Sequence, residues 1–172
     1  MNFRKLFLCA ATLCALAAVS AAQMSAARGK AEATVNGKAI SIDYGRPSLK
    51  GRDMFSMIQP GMIWRLGMNM STSIETAGDL VVAGKDLKAG KYSLWAKKTG
   101  ADSWTLLFHP KTGVWGAPGL KEGFIAELPL KTEKVADSAE ELTITLADNK
   151  GKAAIKIHWG TAALTGSFDV KK

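Results

Sequence analysis

Short segments of alternating apolar and polar residues, separated by turns that contain glycine, constrain the fold of this chain most strongly. The first two segments, Ala31–Val35 and Lys38–Tyr44, flank Asn36-Gly37, a dipeptide that accepts the positive φ angles of a tight hairpin turn. A period of two residues places successive side chains on opposite faces of a sheet. No segment keeps a helical period over a long stretch. The pattern predicts an all-β, antiparallel protein.

Eight further segments are predicted strands, and turn residues separate them. They are Thr72–Thr76, Asp79–Ala83, Lys91–Lys97, Ser103–His109, Phe124–Leu130, Glu141–Ala147, Ala153–Trp159 and Gly166–Val170. Many short strands at short spacings are typical of a β-sandwich or a jelly-roll-like fold, so we predict about eight to ten strands. A short helical turn is expected near residues 53–58, because Pro60-Gly61 would stop a longer helix.

The N-terminus has the features of a secretory signal peptide. Arg4 and Lys5 precede the uncharged stretch Leu6–Val19, which is shorter than the roughly 20 residues that span a bilayer. Small residues follow this stretch, so we expect cleavage after Ala21 or Ala22. The sequence therefore predicts a periplasmic or secreted bacterial protein that has no transmembrane segment after cleavage.

The cysteine content and the net charge limit which reactions and which partners are expected for the chain after the signal peptide. Cys9 and Cys14 both lie in the predicted signal peptide (residues 1–22), so the expected flexible tail (23–30) and single domain (31–172) contain no thiol. The net charge of +8 falls to +6 when the two basic residues of the signal peptide are removed. A basic chain favours anionic partners such as acidic polysaccharide or lipid headgroups. Its lysines are scattered, so no nucleic-acid partner is expected.

Three arginines stand among glycine and proline residues in two polar segments. Arg46 and Arg52 lie within residues 43–52, and Arg65 lies within residues 64–69. Guanidinium groups suit the bidentate binding of carboxylate, sulfate or phosphate. We hypothesise that the segments converge and bind a small anionic or polyhydroxylated ligand. The candidate ligand-binding residues are Asp43, Tyr44, Arg46, Arg52, Trp64, Arg65, Asn69, His109 and Trp115.

A structural alternative exists for the same arginines. Arg46 could pair with Asp43 or Asp53, and Arg65 could bond loop carbonyls and brace a long crossover. The two hypotheses differ in one observable respect. Binding requires the guanidinium groups to face a common cavity, whereas bracing requires each of them to be satisfied by its own neighbours.

The other residue types with a possible chemical role favour packing over catalysis. Trp95, Trp104 and Trp159 lie in apolar strands and are expected in the core, whereas Trp115 lies in a loop rich in glycine and proline and is expected at the surface. The two histidines lack any metal-binding spacing, so no metal and no cofactor is expected. Neither a Gly-x-Ser-x-Gly elbow nor a dinucleotide fingerprint is present.

An ordered set of motifs is distributed over nearly all of the chain that follows the signal peptide. It comprises Tyr44-Gly45-Arg46-Pro47, Gly51-Arg52, Trp64-Arg65-Leu66-Gly67-Met68-Asn69, Gly90-Lys91-Tyr92-Ser93, Trp104-Thr105-Leu106-Leu107-Phe108, Trp115-Gly116 and His158-Trp159-Gly160. This set resembles a bacterial secreted family known as domain of unknown function 2911. The resemblance implies a secreted all-β domain and supplies no activity. Met68 and Met70 stand where that family typically has alanine and glutamate, so a role of that glutamate is absent here.

Three functions remain open. The first is a binding module for a small polar or anionic ligand or for envelope polysaccharide, which requires a cavity with converging arginines. The second is a structural or interaction protein of the cell envelope. The third is a hydrolase-like enzyme outside the cytoplasm, with His109 or Asp43 as acid or base. The motifs offer few titratable groups suited to proton transfer and several donors of fixed charge, so we rank binding first, interaction second and catalysis third.

Overall fold

The computed structural model describes residues 28–115 and 120–172 of the chain. The predicted signal peptide and most of the predicted tail lie outside these ranges. The described residues form ten strands and one short helix. They are β1 (Arg28–Val35), β2 (Lys38–Gly45), α1 (Met54–Met57), β3 (Ile63–Trp64), β4 (Thr72–Thr76), β5 (Leu80–Val82), β6 (Lys85–Leu87), β7 (Gly90–Lys98), β8 (Trp104–His109), β9 (Ala126–Asn149) and β10 (Lys152–Val170).

Hydrogen bonds join the strands into one open antiparallel sheet. Its order is β1-β2-β4-β7-β8-β9-β10-β5-β6, and β3 pairs with β7 outside this path. Every strand pair is antiparallel. The all-β prediction is therefore confirmed, and the predicted helical turn is present as α1. β3 and β6 were not predicted, because neither shows an alternation of apolar and polar residues in the sequence.

The first hairpin forms as predicted and begins earlier than predicted. Asn36 and Gly37 have φ angles of 51° and 76°, as a tight hairpin turn requires. Pairing runs without interruption from Val35↔Lys38 to Arg28↔Gly45. Arg28–Lys30 therefore belong to β1, whereas the sequence placed them in a flexible tail.

Two strands are much longer than the sequence predicted. β9 has 24 residues and β10 has 19, and each replaces two predicted strands joined by a turn. Residues 126–130 of β9 pair with β8, and residues 131–134, 139 and 143–149 pair with β10, with shifts of register between these runs. Most side chains of residues 131–140 are exposed, so this part of β9 shows no apolar alternation. Its backbone hydrogen bonds maintain the strand without a buried face.

The open sheet folds over, so that its two halves face each other across one core. Phe108 on β8 contacts Phe168 on β10 edge to face, with 6.0 Å between ring centroids. Tyr44 Oη on β2 donates a 3.4 Å hydrogen bond to the Ile144 carbonyl on β9. Asn36 in the first turn donates to the carbonyls of Gly151 and Val170. The layers thus pack as in a sandwich, with β9 as the continuous strand that joins them.

Candidate functional site

The structure gives Arg46 a partner that the sequence did not predict. Its Nη2 lies 3.0 Å from Glu141 Oε2, and its Nε donates to the Leu142 carbonyl at 3.4 Å. Asp43 instead forms an ion pair with Arg28. Asp53 caps α1 by accepting the Ser56 N–H. The predicted Arg46–Asp43 and Arg46–Asp53 pairs were therefore wrong, although the bracing role itself is consistent with the contacts of Arg46.

The loop between β3 and β4 holds Arg65 and Asn69 together. Arg65 Nη1 donates to the Asn69 carbonyl at 3.3 Å, which confirms the prediction that Arg65 bonds a loop carbonyl. The loop also contacts the end of β2, where Tyr44 is buried. A Cβ added to Gly45 would lie 2.8 Å from the Met68 backbone nitrogen, and one added to Gly67 would lie 2.9 Å from the Gly45 oxygen. The two arginine-containing motifs thus meet through their glycines.

His109 and Trp115 lie on the outer side of β7 and β8. The Nδ1 atom of His109 accepts the Lys111 N–H at 2.8 Å, and its ring packs against Phe124. Neither histidine lies within 4.0 Å of a carboxylate in residues 28–115 and 120–172. The acid–base arrangement of the hydrolase hypothesis is not found in this part of the chain. Trp115 is 57% exposed and bridges to Met70, as expected of a surface aromatic.

A cavity of about 410 Å³ lies where the segment after β2 runs beside β9 and β10. The Leu49 N–H donates to the Glu140 carbonyl at 2.8 Å, and the Leu142 N–H donates to the Pro47 carbonyl at 3.0 Å. The register of β10 shifts on both sides of Gly160, so the strand bulges at the cavity. The residues around the cavity are Leu49, Gly51, Arg52, Asp53, Ser138, Glu140, Trp159, Gly160, Thr161 and Ala162. We call it the Arg52 cavity.

Local hydrogen bonds hold the charged groups of the Arg52 cavity in place. Arg52 Nε donates to the Leu49 carbonyl at 2.9 Å. Glu140 Oε1 accepts the Lys50 N–H at 3.0 Å, and Asp53 Oδ1 accepts the Ser56 N–H at 3.3 Å. Arg52 Nη2 also donates to the Ser48 carbonyl at 3.4 Å. Guanidinium and carboxylate groups can form more hydrogen bonds than these contacts use. The cavity therefore presents one positioned cation and two positioned anions.

An aromatic cluster forms the wall of the Arg52 cavity on the core side. Trp159 stacks on Trp64, with centroids 5.7 Å apart and planes 12° from parallel. Phe55 on α1 packs edge to face on Trp64 and on Trp104. Trp104 and Trp159 are 2% and 3% exposed, and Trp95 is 2% exposed, which confirms the predicted core role of these three tryptophans. Trp64 supports the wall from behind Trp159.

The structure thus divides the predicted site residues. Arg52 lies at the Arg52 cavity, with Trp64 behind its wall. Of the three arginines only Arg52 borders this cavity, so the predicted convergence of the arginines on one cavity is not found here. The other predicted site residues that do not surround the cavity are Asp43, Tyr44, Arg46, Arg65, Asn69, His109 and Trp115. Sequence reasoning missed Glu140 and its neighbours Ser138 and Thr161, because polar residues between two predicted strands read as a turn.

A larger concavity of about 650 Å³ on the outer face of β1, β2 and β4 is less suited to a ligand. It is surrounded by Glu32, Ala33, Thr34, Ala39, Ile40, Ser41, Glu75, Thr76 and Ala77. These residues include no aromatic wall and no cationic donor. Within the described ranges no cluster of three or more His, Cys, Asp or Glu side chains is arranged to hold a metal ion.

Fold and site together define an all-β protein whose two sheet layers are joined by one strand and whose polar cavity opens at the β10 bulge. Residues 26–168 match the family described as "Protein of unknown function (DUF2911)", and the chain belongs to this family. No curated protein and no solved structure shows significant similarity to the chain. No helix among the described residues has the length and apolar character needed to cross a membrane.

Proposed function

We propose that the protein is a binding module that holds a small polyhydroxylated ligand, such as a sugar unit of envelope polysaccharide, in the Arg52 cavity. One observation carries the proposal. Two motifs that are far apart in the sequence, Gly51-Arg52 and Trp159-Gly160, meet around a single cavity and bring Glu140 with them. A concave site with a few positioned polar groups beside an apolar wall is the usual form of a small-molecule site.

The charges of the cavity favour a neutral ligand rich in hydroxyl groups over an anion. Asp53 and Glu140 contribute two carboxylates against the single guanidinium of Arg52. A ligand carboxylate or phosphate would be attracted by one group and repelled by two. Hydroxyl groups can donate to the carboxylates and accept from the guanidinium at the same time. This balance separates the proposal from the anionic ligand considered from the sequence.

Binding is tested by replacing Arg52 and, as a matched control, Arg46. Neutral mono- and disaccharides are titrated while tryptophan fluorescence is recorded, because Trp159 lies at the cavity. Loss of a hydrogen bond to a charged group costs about 1.5–3 kcal/mol, so Arg52→Met should weaken binding by roughly 10- to 100-fold. Arg46→Met, which removes an arginine outside the cavity, should leave the affinity unchanged.

Two results would contradict the proposal. One is sulfate or phosphate binding that exceeds sugar binding and is lost in Arg52→Met. The other is an equal loss of sugar affinity in both arginine variants.

We also propose that the protein acts outside the cytoplasm. The support is the basic, apolar and small-residue pattern of residues 1–22. The expected outcome is a mature chain that begins at Ala22 or Gln23, measured by N-terminal sequencing of protein purified from the envelope fraction of a bacterial host. An intact Met1 on the fractionated protein would rule out cleavage.

A further inference from the structure

Two exposed methionines lie near the end of β7, where lysines border a shallow concavity. Met57 on α1 is 55% exposed, and Met62 just before β3 is 53% exposed. Large apolar side chains with this exposure are few in the described chain; the others exposed by 40% or more are Trp115 and Ile125. Single exposed apolar residues are ordinary, so the neighbours of these methionines decide what they can do.

Backbone contacts bring Met62 next to the last residues of β7. The Lys98 N–H donates to the Met62 carbonyl at 3.1 Å, and the Gly61 N–H donates to the Lys98 carbonyl at 2.8 Å. Ile63 is paired with Lys97. A shallow concavity of about 370 Å³ lies here, and the residues around it are Gly61, Met62, Ile63, Lys97, Leu120 and Lys121.

Helix α1, which carries the exposed Met57, is joined to the same end of β7. Lys98 Nζ donates to the Phe55 carbonyl of α1 at 2.8 Å, which ties the helix to the end of β7. We use the name Met62 patch for the surface formed by Met57, Met62, Ile63, Lys97, Leu120 and Lys121.

The Met62 patch carries the positive charge of two lysines, and a third lysine is buried next to it. Lys97 and Lys121 border the concavity. Lys98 lies beneath it, 7% exposed, with its ammonium group 5.6 Å from the centre of the Trp104 ring. Within residues 28–115 and 120–172 no carboxylate lies within 4.0 Å of Lys98 Nζ. Glu122, next to Lys121, is the adjacent acidic residue in the sequence, so positive charge predominates.

We propose that the Met62 patch docks reversibly on a membrane surface rich in anionic lipid headgroups. Methionine and lysine side chains are unbranched and flexible, so they adapt to a fluid interface, where the thioethers enter the apolar boundary and the ammonium groups remain among the headgroups. A protein partner would favour rigid aromatic or arginine anchors, which the patch lacks. The proposal is independent of sugar binding in the Arg52 cavity.

The test measures co-sedimentation of the full mature protein with phosphatidylcholine vesicles that do or do not contain phosphatidylglycerol. The wild-type protein should bind the anionic vesicles, and raised salt should release it. Removing two lysines should weaken binding by about 30-fold, which corresponds to about 1 kcal/mol for each lysine near an anionic surface. The double variant Lys97→Gln/Lys121→Gln should show this loss. Met57→Ser/Met62→Ser should also weaken binding.

The matched control is Lys85→Gln/Lys150→Gln, which removes the same charge from exposed residues outside the patch. It should bind like the wild-type protein, and thermal melting should show that all variants are folded. Equal binding to both vesicle types would overturn the proposal. So would an equal loss in the control variant. Binding to soluble polygalacturonate that needs the lysines and not the methionines would assign the patch to an acidic polymer and overturn membrane docking.

Discussion

At the scale of single residues, the glycines of the two arginine-containing motifs are explained by close backbone contact. Gly45 at the end of β2 and Gly67 in the following loop leave no room for side chains between them. The same loop holds Leu66 and Asn69 at φ angles of 56° and 62°, which are unusual for residues with a Cβ atom. Leu66 is fully buried, and its carbonyl accepts the Thr72 hydroxyl at 2.7 Å. The motifs thus shape the backbone as well as supplying arginines.

The tight contact at Gly45 leads to a stability prediction. Gly45→Ala should lower the free energy of unfolding by about 1–3 kcal/mol, because the added methyl group meets backbone atoms that cannot rotate away. Urea denaturation measures the change. The control is Gly100→Ala, where the nearest atoms to an added Cβ belong to the Ser103 side chain at 3.4 Å. A Gly45→Ala protein as stable as this control would show that the loop moves freely away from β2.

For Lys98 and Arg46, the sequence indicates the local orientation of the side chain better than its distant contact partner. Lys98 follows Leu94 and Ala96 on the buried face of β7, so the alternation of the strand indicated its direction. A lysine at a strand end is nevertheless usually exposed. The sequence around Lys98 contains no signal for its hydrogen bond to the Phe55 carbonyl. The partner of Arg46, Glu141, lies in a part of β9 that the sequence did not place beside β2. Such contacts depend on the tertiary arrangement.

At the scale of elements, Asp79, the residue before β5, is linked to the residues that follow β6. Its Oδ1 accepts the Ala89 N–H at 2.8 Å, and its Oδ2 lies 2.9 Å from Lys88 Nζ. The hydrogen bonds from Lys88 and Ala89 lower the pKa of Asp79 below its ordinary value. A carboxyl group with a lowered pKa in the folded state stabilises the fold above its ordinary pKa, and this contribution is lost as the pH falls through the lowered value.

The pH dependence of stability tests this assignment. Asp79→Asn should be less stable than the wild-type protein at neutral pH, and the difference should shrink as the pH falls through the lowered pKa of Asp79, because the wild-type carboxyl group then becomes protonated and uncharged. Urea midpoints measured at neutral pH and over an acidic series give the comparison. Asp102→Asn provides a control on a side chain without a hydrogen-bond or ion-pair partner among the described residues. A difference that stays constant with pH would contradict the role of the Asp79 charge.

The strands with a buried face could be predicted from the sequence, and the others could not. In β2, Ile40, Ile42 and Tyr44 are buried and alternate with partly exposed residues, so the period of two was visible. The stretch 131–140 lies in the same strand as Leu142, and several of its residues pair with β10, but most of its side chains are exposed. The alternation of apolar and polar side chains reveals which face of a strand is buried. It does not reveal backbone pairing where both faces of the strand are exposed to solvent. The Arg52 cavity was missed for this reason, since Glu140 lies in that stretch.

At the scale of the whole molecule, the long strands β9 and β10 connect the two layers of the sheet. β9 completes one layer by pairing with β8 and then enters the other layer by pairing with β10. The first turn is fastened to the last strand, because Asn36 Nδ2 donates to the Val170 carbonyl at 2.7 Å. The Arg52 cavity depends on this arrangement, since one side comes from residues 49–53 and the other from residues 138–140 and 159–162. The site therefore forms only when distant parts of the chain are assembled.

The pairing of β5 with β10 also makes one step of folding a long-range step. Leu80 and Val81 of β5 pair with Val170 and Asp169 of β10, which lie far later in the sequence. The β5–β6 hairpin needs only neighbouring residues to form, but one edge of β5 stays unpaired until β10 reaches it. Closing this edge therefore requires a large loop of chain to be ordered, and such a contact is slow to form in comparison with the hairpin itself.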